Sequence, residues 1–308
     1  DKRYAALVVN GTTGQILHAE HAHERRHPAS LTKKMTLYIL FEALKAKKIT
    51  LQTRFSVSAI AMNQEPCKLG LQVGQTISVE EIIKGMVTKS ANDAAVAFAE
   101  GFSGSLAQFV SLMNKKAKKL GMRNTNFCNP TGLPNSKQVT TATDMTILAR
   151  ALHRDFPEYY HYFKTKYFDY KGTSHRNHNQ MLGSFQGLDG IKTGFINASG
   201  FNISTSAVRY DRANRPRRLF AVVMGGASWR SRDKRAAELL ETSFQKIGVL
   251  NDESINLPVD PKLKDQSELQ NVVYTQPQKI KAAPSKSKET ELALSPPQYE
   301  STDAKLLE

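Results

Sequence analysis

Apolar side chains first gather at residues 4–10, a run rich in β-favouring types that closes on Gly11 and Gly14. Two such glycines bracket a tight turn, so residues 15–19 are predicted to pair back as a hairpin. From Leu31 the period changes. Leu31, Met35, Tyr38, Phe41 and Leu44 recur at helical spacing, with Pro28 just ahead, and predict a helix over 31–46. Residues 79–88 and 91–102 read as helices, the second rich in Ala and suited to close packing. Residues 105–120 form an amphipathic pattern stopped by Gly121, and 140–152 form another with Thr141 or Thr143 as its cap. Strands are predicted at 201–209 and 219–224, joined by the polar turn Asp-Arg-Ala-Asn-Arg-Pro, and a helix at 232–247. Hairpins at both ends with helices between them predict an α/β fold. It would be an antiparallel sheet flanked by helices, with an all-helical subdomain inserted.

The pattern fails after Leu250. Residues 251–308 contain no glycine, two aromatics (Tyr274, Tyr299) and six of the chain's 12 prolines. Such a segment buries too little apolar surface to offset chain entropy. The 308-residue chain therefore divides into a folded unit at 1–250 and a linker or tail at 251–308, largely without regular structure. No run of about 18 uncharged apolar residues suggests a membrane span. The opening at Asp1, directly before a strand-like run, reads as a processed or trimmed start.

Charge adds one constraint. The chain carries 43 Lys and Arg against 28 Asp and Glu, and its tail is net acidic, which leaves +18 on the first 250 residues. A body this basic favours anionic surroundings such as nucleic acid, an acidic polymer or a membrane surface. The excess is scattered, and its clusters at Lys115, Lys116, Lys118, Lys119 and at Arg215, Arg217, Arg218 read as solvated faces. No recognition helix, RNP motif or zinc spacing accompanies them, so nucleic acid is not expected as a partner. Cys67 and Cys128 form no CxxC pair, and the choice between one disulfide and two buried thiols stays open.

Three short motifs carry chemistry. In Pro28-Ala29-Ser30-Leu31-Thr32-Lys33 a serine opens a helix, where backbone N–H groups are unpaired, and a lysine follows one turn later on the same face. A neutral lysine there can take the serine's proton. Ser90-Ala91-Asn92 lies at a break between two helices, where a hydroxyl and an amide can both enter one cleft. Lys192-Thr193-Gly194 begins a strand: the lysine offers a fixed positive charge, the threonine a hydroxyl, and the glycine lets a substrate backbone approach the strand edge.

Taken in order, these match the three motifs of the penicillin-recognising serine enzymes. The flanks Lys-Ser-Ala-Asn-Asp-Ala-Ala, Asn-Pro-Thr-Gly-Leu-Pro and Asp-Gly-Ile-Lys-Thr-Gly-Phe resemble the D-alanyl-D-alanine carboxypeptidases, the low-molecular-mass penicillin-binding proteins, over about residues 4–248. The resemblance implies a β-lactamase/DD-peptidase-like fold. It also implies periplasmic or extracytoplasmic work on peptidoglycan stem peptides, inhibition by β-lactams, peripheral membrane or wall association, and no metal or cofactor. It makes Ser30 the nucleophile, Lys33 the general base and Ser90 the proton relay to the leaving amine. Asn92 would hold the substrate amide, Lys192 and Thr193 the terminal carboxylate, and the N–H groups of Ser30 and Phe195 the oxyanion beside Gly194. Members usually add an arginine near the last helix's start; Arg232 matches best, with Arg230 and Arg235 as rivals. Phe195 departs from members with histidine there, which touches side-chain contacts rather than the backbone donor. Residues after 250 are too poor in apolar side chains for the β-rich second domain of larger members, so none is expected within this chain. Any membrane anchor or wall-binding module is expected either beyond its end or not at all.

Competing chemistries fare worse. A dedicated β-lactamase would need a Glu-x-x-x-Asn element between Ser90 and Lys192, and none occurs. Gly101-Phe102-Ser103-Gly104-Ser105 lacks the last glycine of a Ser-His-Asp elbow. His21, His23 and His27 lie in a polar loop that reads as solvated rather than as a metal site. His175 and His178, beside Asn177 and Asn179, read as organisers of a loop near the cleft. A non-catalytic wall-binding protein is the remaining alternative, which covalent capture of penicillin on Ser30 would exclude.

Overall fold

Burial on both faces shapes the first strand. In a computed structural model, which describes residues 2–249, Ala5, Leu7 and Val9 point into one apolar core and Ala6 and Val8 into another. Successive strand residues face opposite ways, so a strand covered on both sides needs a continuous apolar run. The tail expected at 251–308 lies outside the described residues.

In chain order the elements are β1 (Ala5–Asn10), β2 (Ile16–Glu20), a 3-10 turn (Ala29–Thr32), α1 (Lys33–Lys45), β3 (Arg54–Ser56), α2 (Ala59–Met62), β4 (Thr76–Ser78), α3 (Val79–Val87), α4 (Asn92–Ser103), α5 (Leu106–Leu120) and α6 (Ala142–Asp155). A second 3-10 turn (Tyr160–Lys164) follows, then β5 (Tyr167–Tyr170), β6 (Thr173–Arg176), β7 (Leu188–Ile196), β8 (Gly200–Tyr210), β9 (Pro216–Gly226) and α7 (Trp229–Lys246). The main sheet is antiparallel with strand order β2-β1-β9-β8-β7, so the two ends of the body meet at its centre. β7 is an outer strand, and Lys192 lies in its middle rather than at its start. α7 covers one face through Ala236, Leu239, Leu240 and Phe244. α6 packs against β9, β1 and β8, and the second 3-10 turn against β7.

Two small antiparallel pairs were not legible in the sequence: the strands of β3–β4, which α2 separates in the chain, and of the hairpin β5–β6 are three and four residues long, too short for an alternation to show. Thr141, not Thr143, caps α6 by accepting from Asp144 N at 3.0 Å. Two members of the charge clusters are not solvated. Lys116 is 9% exposed and pairs with Glu42, while Arg218 pairs with Asp189 at 2.7 Å. Lys34 is also buried, its amine donating to Met145 O at 2.8 Å and to Ser204 Oγ at 2.7 Å. It ties α1 to α6 and β8, and burial holds it well below the usual lysine range.

In the insert, α4 is buried from Asn92 to Ala99, and small Ala side chains let α2, α3 and α5 approach it. The fully buried carboxylate of Asp93 accepts from the backbone N–H groups of Leu69 (2.9 Å), Gly70 (3.0 Å) and Leu71 (3.1 Å), which pins loop 65–71 to the start of α4. Asp93→Ala would remove the acceptor of four backbone N–H groups, these three and that of Ala94 (2.9 Å), of which Leu71 and Ala94 are buried. The expected loss is about 3 kcal/mol or more, read from the urea midpoint; Asp93→Asn, which keeps one acceptor oxygen, should lose less.

Candidate active site

Ser30 sits on the 3-10 turn that leads into α1. The preceding Ala29 is left-handed, with φ +49°, a conformation that costs a non-glycine residue about 1 kcal/mol or more. Three contacts hold this turn. Asn202 on β8 donates to His27 O (3.0 Å) and Pro28 O (3.2 Å) while its Oδ1 accepts from Gly225 N (3.0 Å). Gly132, at φ +91°, lies so close that a Cβ there would fall on the Ala29 carbonyl. Gly194 lies against the same turn: a Cβ there would be 2.8 Å from Ser30 N and 3.1 Å from Leu31 N. The sequence suggested that this glycine makes room for a substrate strand. The structure adds that it keeps the Ser30 N–H unobstructed.

Lys33, the first residue of α1, is fully buried. Its Nζ lies 3.2 Å from Ser30 Oγ, 2.6 Å from Asn92 Oδ1 and 2.7 Å from the Thr131 carbonyl. Burial pushes its pKa well below that of a free lysine, and Lys192 across the cleft adds repulsion in the same direction. The sequence brings Ser30 and Lys33 together as expected. It did not foretell that Asn92 bonds Lys33 directly, nor any part for Thr131, because a backbone carbonyl leaves no signature in residue type.

Ser90 is buried and left-handed (φ +61°), and its Oγ has no hydrogen-bond partner among the described residues. A buried hydroxyl without a partner is costly and therefore poised to bond an incoming group. Asn92 opens α4; its Nδ2 donates to Glu65 O at 3.0 Å and its N–H to Cys67 O at 2.7 Å. Loop 65–71, pinned by Asp93, thus lines the same site.

From β7 come Lys192, Thr193, Gly194 and Phe195. Lys192 is 2% exposed, and burial, aided by the positive charge of Arg232, pushes its pKa down to about 7. Its charge is therefore conditional, not fixed as the sequence suggested. Phe195 packs its ring 4.3 Å from that of Phe201 on β8. Of the three arginines, Arg232 is buried beside Asp233 and donates to Asn202 O at 3.3 Å. Arg230 stacks on Trp229, and Arg235 bonds Tyr4 Oη at 2.9 Å. His178 lies among Lys192, Lys89, Arg232 and Lys33; burial first, then these cations, push it to about 3, so it is neutral.

The remaining candidates have other occupations. His21 bonds Glu24 (2.7 Å), His23 bonds Thr143 (3.1 Å) and His27 bonds Gln138 O (2.9 Å). Cys67 and Cys128 are free thiols.

Known proteins resemble this chain in sequence and in fold. The sequence profile of the family described as D-alanyl-D-alanine carboxypeptidase matches residues 2–228. The D-alanyl-D-alanine carboxypeptidase DacD of Escherichia coli K12 is 36% identical over 255 residues, covering 80% of this chain and 64% of the relative. Penicillin binding protein 5 from Haemophilus influenzae superposes with a TM-score of 0.74 at 34% identity, over 78% of this chain and 70% of that one. Penicillin-binding protein D2 from Listeria monocytogenes, solved in its ampicillin-bound form, superposes with a TM-score of 0.70 at 30% identity, over 78% and 96%. The chain thus spans just under two thirds of the curated relatives that it matches first.

Gly194→Ala isolates the role of the close approach at Ser30. The atoms a methyl group would meet are backbone and cannot swing aside. Labelling of Ser30 by a serine-acylating reagent should slow by about 100-fold or more, the range seen when one oxyanion donor is lost. Circular dichroism and melting temperature check that the fold survives.

Proposed function

The chain belongs to the D-alanyl-D-alanine carboxypeptidase family, and from that premise we propose that it is a serine-type carboxypeptidase. It would remove the terminal D-Ala from peptidoglycan stem peptides through an acyl-enzyme on Ser30. β-Lactams, one of which is bound in the Listeria relative, would acylate the same oxygen. The work lies outside the cytoplasmic membrane, where stem peptides are found. Residues 1–250 form the catalytic unit in this reading and 251–308 a tail.

One observation carries the proposal: the company of Lys33 Nζ. A neutral amine has two hydrogens and one lone pair. Asn92 Oδ1 and Thr131 O can only accept, so they take the two hydrogens. The lone pair is left to face Ser30 Oγ, which must then be the donor. Ser30 gives its proton to Lys33 as Oγ attacks the carbonyl carbon of the penultimate D-Ala. The Ser30 and Phe195 N–H groups receive the oxyanion. As the C–N bond breaks, the Lys33 ammonium returns the proton through Ser90 Oγ to the leaving amine. Water then repeats the sequence on the ester, with Lys33 again the base. Asn92 Nδ2 would exchange Glu65 O for the substrate amide carbonyl. Lys192, Thr193 and Arg232 would receive the terminal carboxylate.

Fluorescent penicillin and a peptide ending in D-Ala-D-Ala test this directly. Wild type, and the chain cut after residue 250, should be labelled and should release D-Ala. Ser30→Ala should do neither while remaining folded. Turnover by Ser30→Ala would remove Ser30 from the nucleophile's role.

pH dependence tests the base. At a pKa of about 10.4 only about one lysine in two to three thousand is neutral at pH 7. Lys33 is held well below that, so acylation should rise with pH along a limb below the free-lysine range. That limb belongs to the coupled lysines rather than to Lys33 alone. Lys192→Ala removes a repulsion that lowers Lys33, so the limb should move to higher pH. Binding should run the other way. A carboxylate favours charged Lys192, so substrate affinity should weaken as pH rises through about 7. Lys33→Arg cannot supply a neutral base and should lose roughly 100-fold or more in acylation. A flat profile, or an active Lys33→Arg, would count against Lys33.

A further inference from the structure

The carbonyl that holds one hydrogen of Lys33 belongs to a loop without regular structure, which Thr36 Oγ1 of α1 fastens at Pro130 O (2.7 Å) and two side-chain amides brace from within. Asn129 Oδ1 accepts from Thr131 N (3.2 Å), Thr131 Oγ1 (3.0 Å), Gly132 N (2.7 Å) and Gln138 Nε2 (3.3 Å), while Asn129 Nδ2 donates to Leu133 O (3.1 Å). Gln138 is 2% exposed; its Oε1 accepts from Cys128 N (2.9 Å) and Asn129 N (3.2 Å), and its Nε2 also reaches Leu133 O (3.2 Å). Pro130 has no N–H, so these bonds take up every backbone donor from 128 to 132. The loop meets the site twice. Thr131 O accepts from Lys33, and the Gln138 carbonyl bonds His27, three residues before Ser30.

We propose that Asn129, braced by Gln138, is a positioning residue for Lys33, fixing the Thr131 carbonyl so that the amine's lone pair stays on Ser30. The inference rests on the reading of Lys33 as base. A carbonyl on a free loop would let the amine turn and spend its lone pair elsewhere. Asn129 has a second property: it is neutral. All four groups on its Oδ1 are donors, which a carboxylate would serve equally well. An Asp would, however, place a negative charge in the loop that favours the Lys33 ammonium. An amide gives the geometry without that charge. The groups already facing Lys33 are Lys192 from β7, Asp93 from α4, Cys67 from loop 65–71 and His178 from the segment before β7; the variants leave all four in place.

The test uses fluorescent penicillin on the whole chain, with labelling rate measured against concentration from pH 5 to 10. Asn129→Ala should label about 10- to 100-fold more slowly at the plateau, as for a small displacement of a reacting group. Its half-saturating penicillin concentration should stay within about two-fold of wild type, since the binding groups are untouched. Asn129→Asp keeps the four accepted bonds and loses the one donated to Leu133 O, which Gln138 Nε2 still holds. Its plateau should lie within about three-fold of wild type, with the rising limb moved up by about half a pH unit or more. An alanine variant with the wild-type plateau overturns the proposal, as does one altered only in half-saturation. If the alanine variant does not fold, Asn129→Asp decides: an unmoved limb or a lost plateau overturns the proposal. Failure of wild type to label at all would refute the carboxypeptidase reading itself, a different outcome.

Discussion

A lysine amine buried without a carboxylate to neutralise it is the constraint on which this site depends. An ammonium at Lys33 would face low dielectric and the charge of Lys192, so its pKa is held well below that of a free lysine. What remains must still be satisfied, because a buried N–H without an acceptor costs about 1–3 kcal/mol. The protein supplies two pure acceptors from two different segments, α4 and the loop before α6. The valence of nitrogen then aims the lone pair. In the proposed role of Lys33 as base, its strength and its direction follow from one arrangement, with no anion bonded to the amine.

That arrangement needs pieces distant in the chain. The nucleophile turn follows the first hairpin, Asn92 comes from the helical insert, and Lys192 from an outer strand of the sheet. Asn202 joins the turn to β8 and β9, Asp93 joins loop 65–71 to α4, and Gly132 and Gly194 permit backbones to touch where any side chain would separate them. Two of the strained residues, Ala29 and Ser90, stand beside or within the site. Backbone strain of this kind persists only where its surroundings over-determine it. The dense bonding around both segments supplies that determination.

The long elements were legible because burial writes a period into the sequence. β1, α1, α4 and α5 each came within two residues of their observed bounds. The short strand pairs β3–β4 and β5–β6 were not, since three or four residues cannot display an alternation. The motif serines and lysines were legible because their chemistry demands particular side chains at particular offsets. Thr131 was not, since it contributes only a carbonyl, which any residue type would offer. Lys192 was legible as a cation but not as a conditional one. Its charge depends on burial, which appears only once the sheet has folded.

Lys33 and Lys34 show how far position outranks composition. The two are adjacent, both are fully buried, and burial lowers the pKa of both. One residue along a helix turns a side chain by about 100°, so they face different neighbours. Lys34 meets Met145 O and Ser204 Oγ and thereby fastens α1 to α6 and the sheet. Lys33 meets the serine. A low pKa therefore does not by itself identify a base: it is the price of burial for either lysine. The distinction lies in what each amine faces: Ser204 Oγ within the core at Lys34, and at Lys33 the Ser30 hydroxyl, the proposed nucleophile.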